Sequence, residues 1–346
     1  MPRRSAALAL LGALALSPLA GCDSGGVDTP CDNPQATPSY RTFFSDPAWH
    51  PGGRYIAAEH ADSLDTDGDG RLDAFVTGTW LVDAGTGEVV GPLVPGYSDP
   101  AWSPDGRTLA VGRGAQIFTV EVDDLDEARV DPASLRQVTH EGRNFFPSWS
   151  SDGEWIAYDN TICGGPTEPI PPSSCGILVV TANGEARRFV TRGRMPDWSL
   201  EGEGLIYLGL YNDLYRVTLA DTSAEVRLTF FNSEDDSQMA SNRHPRYSPD
   251  GSRVAFQSET ARIGSAGFHI QTINADGTGL RRLAPNHAWS FDWSPDGERI
   301  VFLRLDTTTP ARWSGQLWLM NADGSDARQL TDYFPSQGRL PNCQRG

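Results

Sequence analysis

Basic charge is scarce in this chain: 28 basic residues face 45 acidic ones, a formal net charge of −17 at neutral pH. With no basic stripe, nucleic-acid binding lacks its main electrostatic term, and an anionic bilayer repels the bare protein. Catalytic signatures are missing as well. There is no Gly-x-Ser-x-Gly elbow, no His-Glu-x-x-His and no phosphate-cradling Gly-x-x-x-x-Gly-Lys. The run Gly21-Cys22-Asp23-Ser24-Gly25-Gly26 has the look of a serine-protease nucleophile loop, but it sits in a Gly/Ser-rich linker. The six histidines (His50, His60, His140, His244, His269 and His287) follow no recurring spacing. These absences argue against an enzyme of the common hydrolytic or nucleotide-dependent kinds.

What the chain has is repetition. At intervals of 46 to 53 residues a short phrase recurs six times: DPAWHPGGRYIAA from Asp46, DPAWSPDGRTLAV from Asp99, FPSWSSDGEWIAY from Phe146, MPDWSLEGEGLIY from Met195, HPRYSPDGSRVAF from His244 and SFDWSPDGERIVF from Ser290. An aromatic anchor (Trp49, Trp102, Trp149, Trp198, Tyr247, Trp293) is followed four residues later by Gly and then by an apolar run. Asp-Gly between apolar segments is a hairpin signal, because Gly takes positive φ without steric cost. A second half-repeat follows in most copies, such as Leu317 to Met320, Ala322-Asp323-Gly324 and Gln329-Leu330-Thr331. Each unit therefore holds four short strands. Periods of this length mark repeat architectures, and the expected fold is all-β: a six-bladed β-propeller of four-stranded antiparallel blades. A flat array would leave long unpaired edges.

The phrase Pro-x-Trp-Ser-Pro-Asp-Gly, followed by an apolar strand, Ala-Asp-Gly and Arg-x-Leu-Thr, resembles the WD-repeat-like blades of TolB-type periplasmic propellers over roughly residues 40 to 334. The resemblance implies a binding scaffold for another envelope protein. Blades one and four depart from the phrase at Trp49-His50-Pro51-Gly52-Gly53 and Trp198-Ser199-Leu200-Glu201-Gly202, and the short stretch between Cys22 and the first blade region leaves the separate α/β domain of the full TolB type unexpected there.

The ends read as targeting and tether. Arg3-Arg4, the apolar stretch Ala6 to Leu16 and Leu19-Ala20-Gly21-Cys22 fit a bacterial lipoprotein signal peptide over residues 1–21, lipidated at Cys22. Residues 22–39 have the composition of a flexible linker, and 40–346 form the propeller. The expected location is the cell envelope, lipid-anchored, on the periplasmic face or the cell surface. In such an oxidising compartment Cys31, Cys163, Cys175 and Cys343 are disulfide candidates. Four cysteines allow three pairings. Cys163 with Cys175 is the simplest local bridge, leaving Cys31 with Cys343 to staple the ends of the ring.

Two sites are expected. Asp65-Thr66-Asp67-Gly68-Asp69-Gly70-Arg71-Leu72-Asp73 spaces oxygen ligands as a Ca²⁺ loop does, with Gly at the sharp turn. Asp65, Asp67, Asp69 and Asp73 would supply carboxylates and Arg71 its carbonyl, around a structural ion. The loop is no complete EF-hand, because Val76 stands at the twelfth position. It is similar to the calcium loops set in hairpins of integrin-type propellers. The second site is axial. Asp46, Asp99, Phe146, Arg194, Arg243, His244 and Trp289 lie just before the anchors. They would either cap the tunnel and hold blades together or bind a small ligand, an envelope saccharide or a peptide. The leading expectation is a non-enzymatic scaffold for an envelope protein partner. The alternative is a binder or enzyme, a hydrolase or lyase, working at the channel mouth.

Overall fold

Six antiparallel blades follow one another along the chain, each opened by one of the repeated phrases, with the first and last joined into one sheet. The computed structural model describes residues 42–64, 74–161, 175–209, 212–230, 240–260, 268–283, 288–306 and 314–333. These all belong to one unit, Ser39–Asn342. Blade one is β1 (Thr42–Trp49), β2 (Tyr55–Leu64), β3 (Ala74–Asp83) and β4 (Val89–Pro95). Blade two is β5 (Ser98–Trp102), β6 (Thr108–Arg113) and β7 (Gln116–Asp124), with short outer strands β8 (Arg129–Val130) and β9 (Arg136–Gln137). Blade three is β10 (Asn144–Trp149), β11 (Trp155–Asn160), β12 (Gly176–Thr181) and β13 (Arg187–Thr191). Blade four is β14 (Arg194–Trp198), β15 (Gly204–Leu208), β16 (Leu214–Thr218) and β17 (Val226–Arg227). Blade five is β18 (Ala240–Tyr247), β19 (Arg253–Thr260), β20 (Phe268–Asn274) and β21 (Arg281–Arg282). Blade six is β22 (Ala288–Trp293), β23 (Arg299–Asp306), β24 (Ser314–Asn321) and β25 (Arg328–Gln329). The first strands touch in a closed cycle, β1 to β5 to β10 to β14 to β18 to β22 and back to β1, which makes the six-bladed propeller. Among the described residues no helix is long and apolar enough to cross a membrane.

The repeated phrase is a turn written in side chains. In blade two the amide of Thr108 donates to Ser103 Oγ at 2.9 Å and that of Arg107 to Asp105 Oδ1 at 3.0 Å, so Ser and Asp satisfy the backbone where the ladder stops. Ser248 with Asp250 and Ser294 with Asp296 do the same in blades five and six. The Gly that follows is left-handed in all six blades, from Gly251 at φ 69° to Gly53 at φ 79°.

Each sheet is covered on both faces by its neighbours, so the second strands read as near-continuous apolar runs such as Leu205-Ile206-Tyr207-Leu208. The core is accordingly six clusters, one per blade interface. Ile206 and Leu208 of blade four meet Val254 and Phe256 of blade five, and Ile56 and Val82 of blade one meet Val301 and Leu317 of blade six.

The ring closes through backbone pairing. The start of β1 runs parallel to the start of β24, Thr42 beside Ser314 and Phe43 beside Gly315, so blade one lends two residues to blade six. Each repeat holds four strands of its own in sequence, and a two-residue exchange is too short to leave a pattern. Cys175 is disulfide-bonded. Cys22, Cys31, Cys163, Cys343 and the acidic loop at 65–73 lie outside the described residues.

Candidate functional site

Every first strand carries a β-bulge just before its aromatic anchor. In five blades the bulged residue precedes proline and adopts φ between 42° and 54°: Asp46, Asp99, Phe146, Met195 and His244. Left-handed backbone is costly for a residue with a Cβ, and such strain gathers where a side chain must be aimed. Here the bulges aim side chains at the ring axis. A cavity of about 250 Å³ opens there. Asp46, Asp99, Phe146, His244 and Ser290 line it from the bulges; Ser148, Asp197, Arg246 and Asp292 line it from the position before each anchor.

The polar wall divides into two groups. Asp197 accepts hydrogen bonds from Ser148 Oγ at 3.0 Å and from the Tyr247 amide at 2.9 Å, and Asp292 accepts one from the Trp49 amide at 2.6 Å. Both carboxylates thus tie one blade to the next. Arg246 stands 3.8 Å from Asp197. The second group joins two wall residues, Asp46 and Asp99, to Glu59 of β2, which stands beside them without lining the cavity itself. One carboxylate oxygen from each lies within 4.8 Å of the others. Glu59 accepts a hydrogen bond from Ser45 Oγ at 3.4 Å, whereas Asp99 accepts none from a described residue.

Burial raises all three of these acids. Glu59 is pushed up to about 7 by burial and then by the charge of Asp46. Asp99 lies well above the usual carboxylate range through burial, then Asp46 and Glu59. Asp46 is raised by burial against the opposing charge of Arg246. Across the cavity burial takes Asp292 up to about 6 and His244 down to about 3, the latter helped by Arg246 and Arg243. The axis therefore holds a neutral imidazole, one strong cation and a set of acids that cannot all ionise together in the absence of a positive guest.

Of the expected axial residues, Asp46, Asp99, Phe146 and His244 meet at the cavity, where the Phe146 and His244 rings lie edge to face at 5.4 Å. Arg194, Arg243 and Trp289 do not line it. Each sits one residue before the bulge, on the opposite side of the strand: Arg194 donates to Asn212 Oδ1 at 2.6 Å, Arg243 lies 5.2 Å over the Phe268 ring, and Trp289 packs on that ring at 4.4 Å. The sequence reading missed Glu59 and Arg246. Arg246 was findable, because the position before each anchor has the same parity as the bulge; Glu59 was not, since it belongs to the second strand.

The donor set suits a hard cation. Three carboxylate oxygens are what Ca²⁺ or Mn²⁺ selects. A Ca²⁺ ion with oxygen ligands at about 2.3–2.6 Å spans up to about 5.2 Å between opposite ligands, wide enough for the 4.8 Å cluster.

No protein-family model matches the chain. An uncharacterized protein of Agrobacterium fabrum is 26% identical over 259 residues, 70% of this chain and 79% of that one. YuxL of Bacillus subtilis, an uncharacterized peptidase, is 26% identical over 239 residues, 64% of this chain but 30% of its own length, so the match spans under a third of that relative. Among solved structures, a protein of Agrobacterium tumefaciens assigned as TolB superposes with a TM-score of 0.56 at 23% identity, covering 73% of this chain and 87% of that one. An oligogalacturonate lyase in complex with manganese gives 0.50 at 14% identity, covering 85% and 79%. These likenesses define the class: the fold is a TolB-like β-propeller.

Proposed function

We propose that this chain is a non-enzymatic binding propeller of the cell envelope, anchored by lipid at Cys22, that takes a divalent cation on its axis and offers its blades to a protein partner. The observation that carries the reading is the Asp46–Glu59–Asp99 cluster, three carboxylates whose oxygens converge within 4.8 Å of one another beside the axial cavity. Bare, they repel; a cation bound among them removes the repulsion and fixes blades one and two to each other. Calcium fits the oxygen-only donor set, and the separate loop Asp65, Asp67, Asp69, Arg71 and Asp73 would hold a second, structural calcium.

Calorimetric titration of the metal-free chain with Ca²⁺ and Mn²⁺ tests this. Asp67→Asn with Asp69→Asn should leave one site, and Asp99→Asn should remove it, weakening binding at least about tenfold. Heat unchanged by Asp99→Asn would refute the axial reading. For the protein partner, in-cell crosslinking needs a photoreactive or carboxylate-directed reagent, because the chain contains no lysine. One stoichiometric envelope protein is the expected product.

A second reading draws on Glu59 and on the likeness to a lyase complexed with manganese. A carboxylate poised near neutrality beside the axial cavity can accept a proton from a saccharide or peptide that reaches it past Asp46 and Asp99. Turnover of such a substrate that disappears in Glu59→Gln would favour it over the scaffold.

A further inference from the structure

The six aromatic anchors are not equally covered. In four blades the residue six positions after the anchor packs toward the anchor of the following blade. Arg253 of blade five lays its guanidinium 5.1 Å over the Trp293 ring of blade six, and Arg299 of blade six lies 5.3 Å over Trp49 of blade one. Tyr55 shares a core cluster with Trp102, and Trp155 packs on the cluster that contains Trp198. Those four tryptophans are 4% to 8% exposed. At Tyr247 the covering position is Gly204, but the charge of Arg216 reaches the phenol.

Two anchors, Trp149 and Tyr247, are only partly buried. At Trp149 the covering position holds Thr108, which has neither the aromatic ring nor the guanidinium found there in four blades. The space left is a groove of about 910 Å³ between blades two and three, bounded by Thr108 and Trp149 and by the carboxylates of Asp105, Glu121 and Asp152, with Arg136 the single cation on its wall. Hydrogen bonds from Ser103 and Ser150 and from backbone amides hold Asp105 and Asp152 below the usual carboxylate range, so both are charged at neutral pH. The indole N–H of Trp149 is already committed to the Ala101 carbonyl at 3.0 Å. With that donor used, what the side chain has left for a ligand in the groove is its ring.

We propose that this groove takes an arginine side chain from a partner polypeptide, its guanidinium stacked on Trp149 and its charge met by Asp105, Glu121 and Asp152. The molecule itself shows the fit, since two other anchors hold an internal guanidinium in the corresponding place. A cation over indole is worth about twofold to thirtyfold in affinity depending on desolvation. Three carboxylates against one guanidinium, on a chain of net charge −17, select a basic partner. The proposal deepens the scaffold reading and is independent of the axial cavity.

The test follows the Trp149 indole signal by NMR, assigned with Trp149→Phe, while the full chain is titrated with acetyl-Gly-Arg-Gly-amide, its citrulline counterpart or a neutral oligosaccharide. The arginine peptide should shift the signal in a saturable way and the citrulline peptide should bind at least about threefold more weakly. Thr108→Arg, which supplies the internal cover found in blades five and six, should keep the fold and weaken the peptide about tenfold or more, and Glu121→Gln should weaken it without moving the melting temperature. An unmoved indole, equal binding of the citrulline peptide, or a response to the oligosaccharide alone would overturn the proposal. Axial cation binding, measured on the same samples, reports separately on the axial site.

Discussion

Glu59 carries the clearest consequence at the scale of single residues. Its carboxyl sits at about 7 in the fold against an ordinary 4.5, so the folded chain holds that proton more tightly than the unfolded one. The resulting stability is present in full below pH 4.5 and is lost as pH rises through about 7. In cation-free buffer the melting temperature should therefore fall from pH 5 to pH 8, and Glu59→Gln should flatten the slope; a rise over that window would contradict the assignment. Asp99→Asn should raise the melting temperature at pH 8 by removing a buried charge from between two others, while abolishing any gain from added Ca²⁺. Asp46 and Asp99 were legible in the sequence because they stand before a Pro and a Trp anchor in a repeat. Glu59 was not, because nothing in Ile56-Ala57-Ala58-Glu59-His60 says that a second strand contributes to the axis.

Strands and turns were the most legible level. Ser-Pro-Asp-Gly encodes its own turn, and the closing Leu-Thr encodes the end of the outer strand: Thr331 Oγ1 accepts the Leu317 amide at 3.0 Å and donates to Gln316 at 2.7 Å, and Thr139 does the same between Ile117 and Gln116. The bulges were half legible. Their prolines are visible, but the left-handed residue before each one, which sends Asp46 inward and Arg194 outward, depends on the register with the second strand. The seam was not legible at all, since two paired residues carry no periodicity. It depends on close approach: a Cβ on Gly315 would sit 2.5 Å from the Phe43 ring. Gly315→Val should destabilise the chain by about 1–3 kcal/mol, read as a lower denaturation midpoint with an unchanged slope. An unaltered midpoint would mean that the seam contributes nothing to closure.

At the scale of the whole molecule, six clusters at six blade interfaces leave the axis as the place where all blades meet. Blade count and chain charge were readable from the sequence, because both are sums over repeats. Which repeat differs from the others in three dimensions was not: Thr108 is one ordinary residue until the arginines in its place elsewhere are seen on their tryptophans. On the proposed function the axial carboxylates hold a cation, and anomalous diffraction at the manganese edge from crystals grown with Mn²⁺ tests this. A peak among Asp46, Glu59 and Asp99 that vanishes in Asp99→Asn is the predicted result. An axis without a peak, in crystals whose 65–73 loop is loaded, would contradict it.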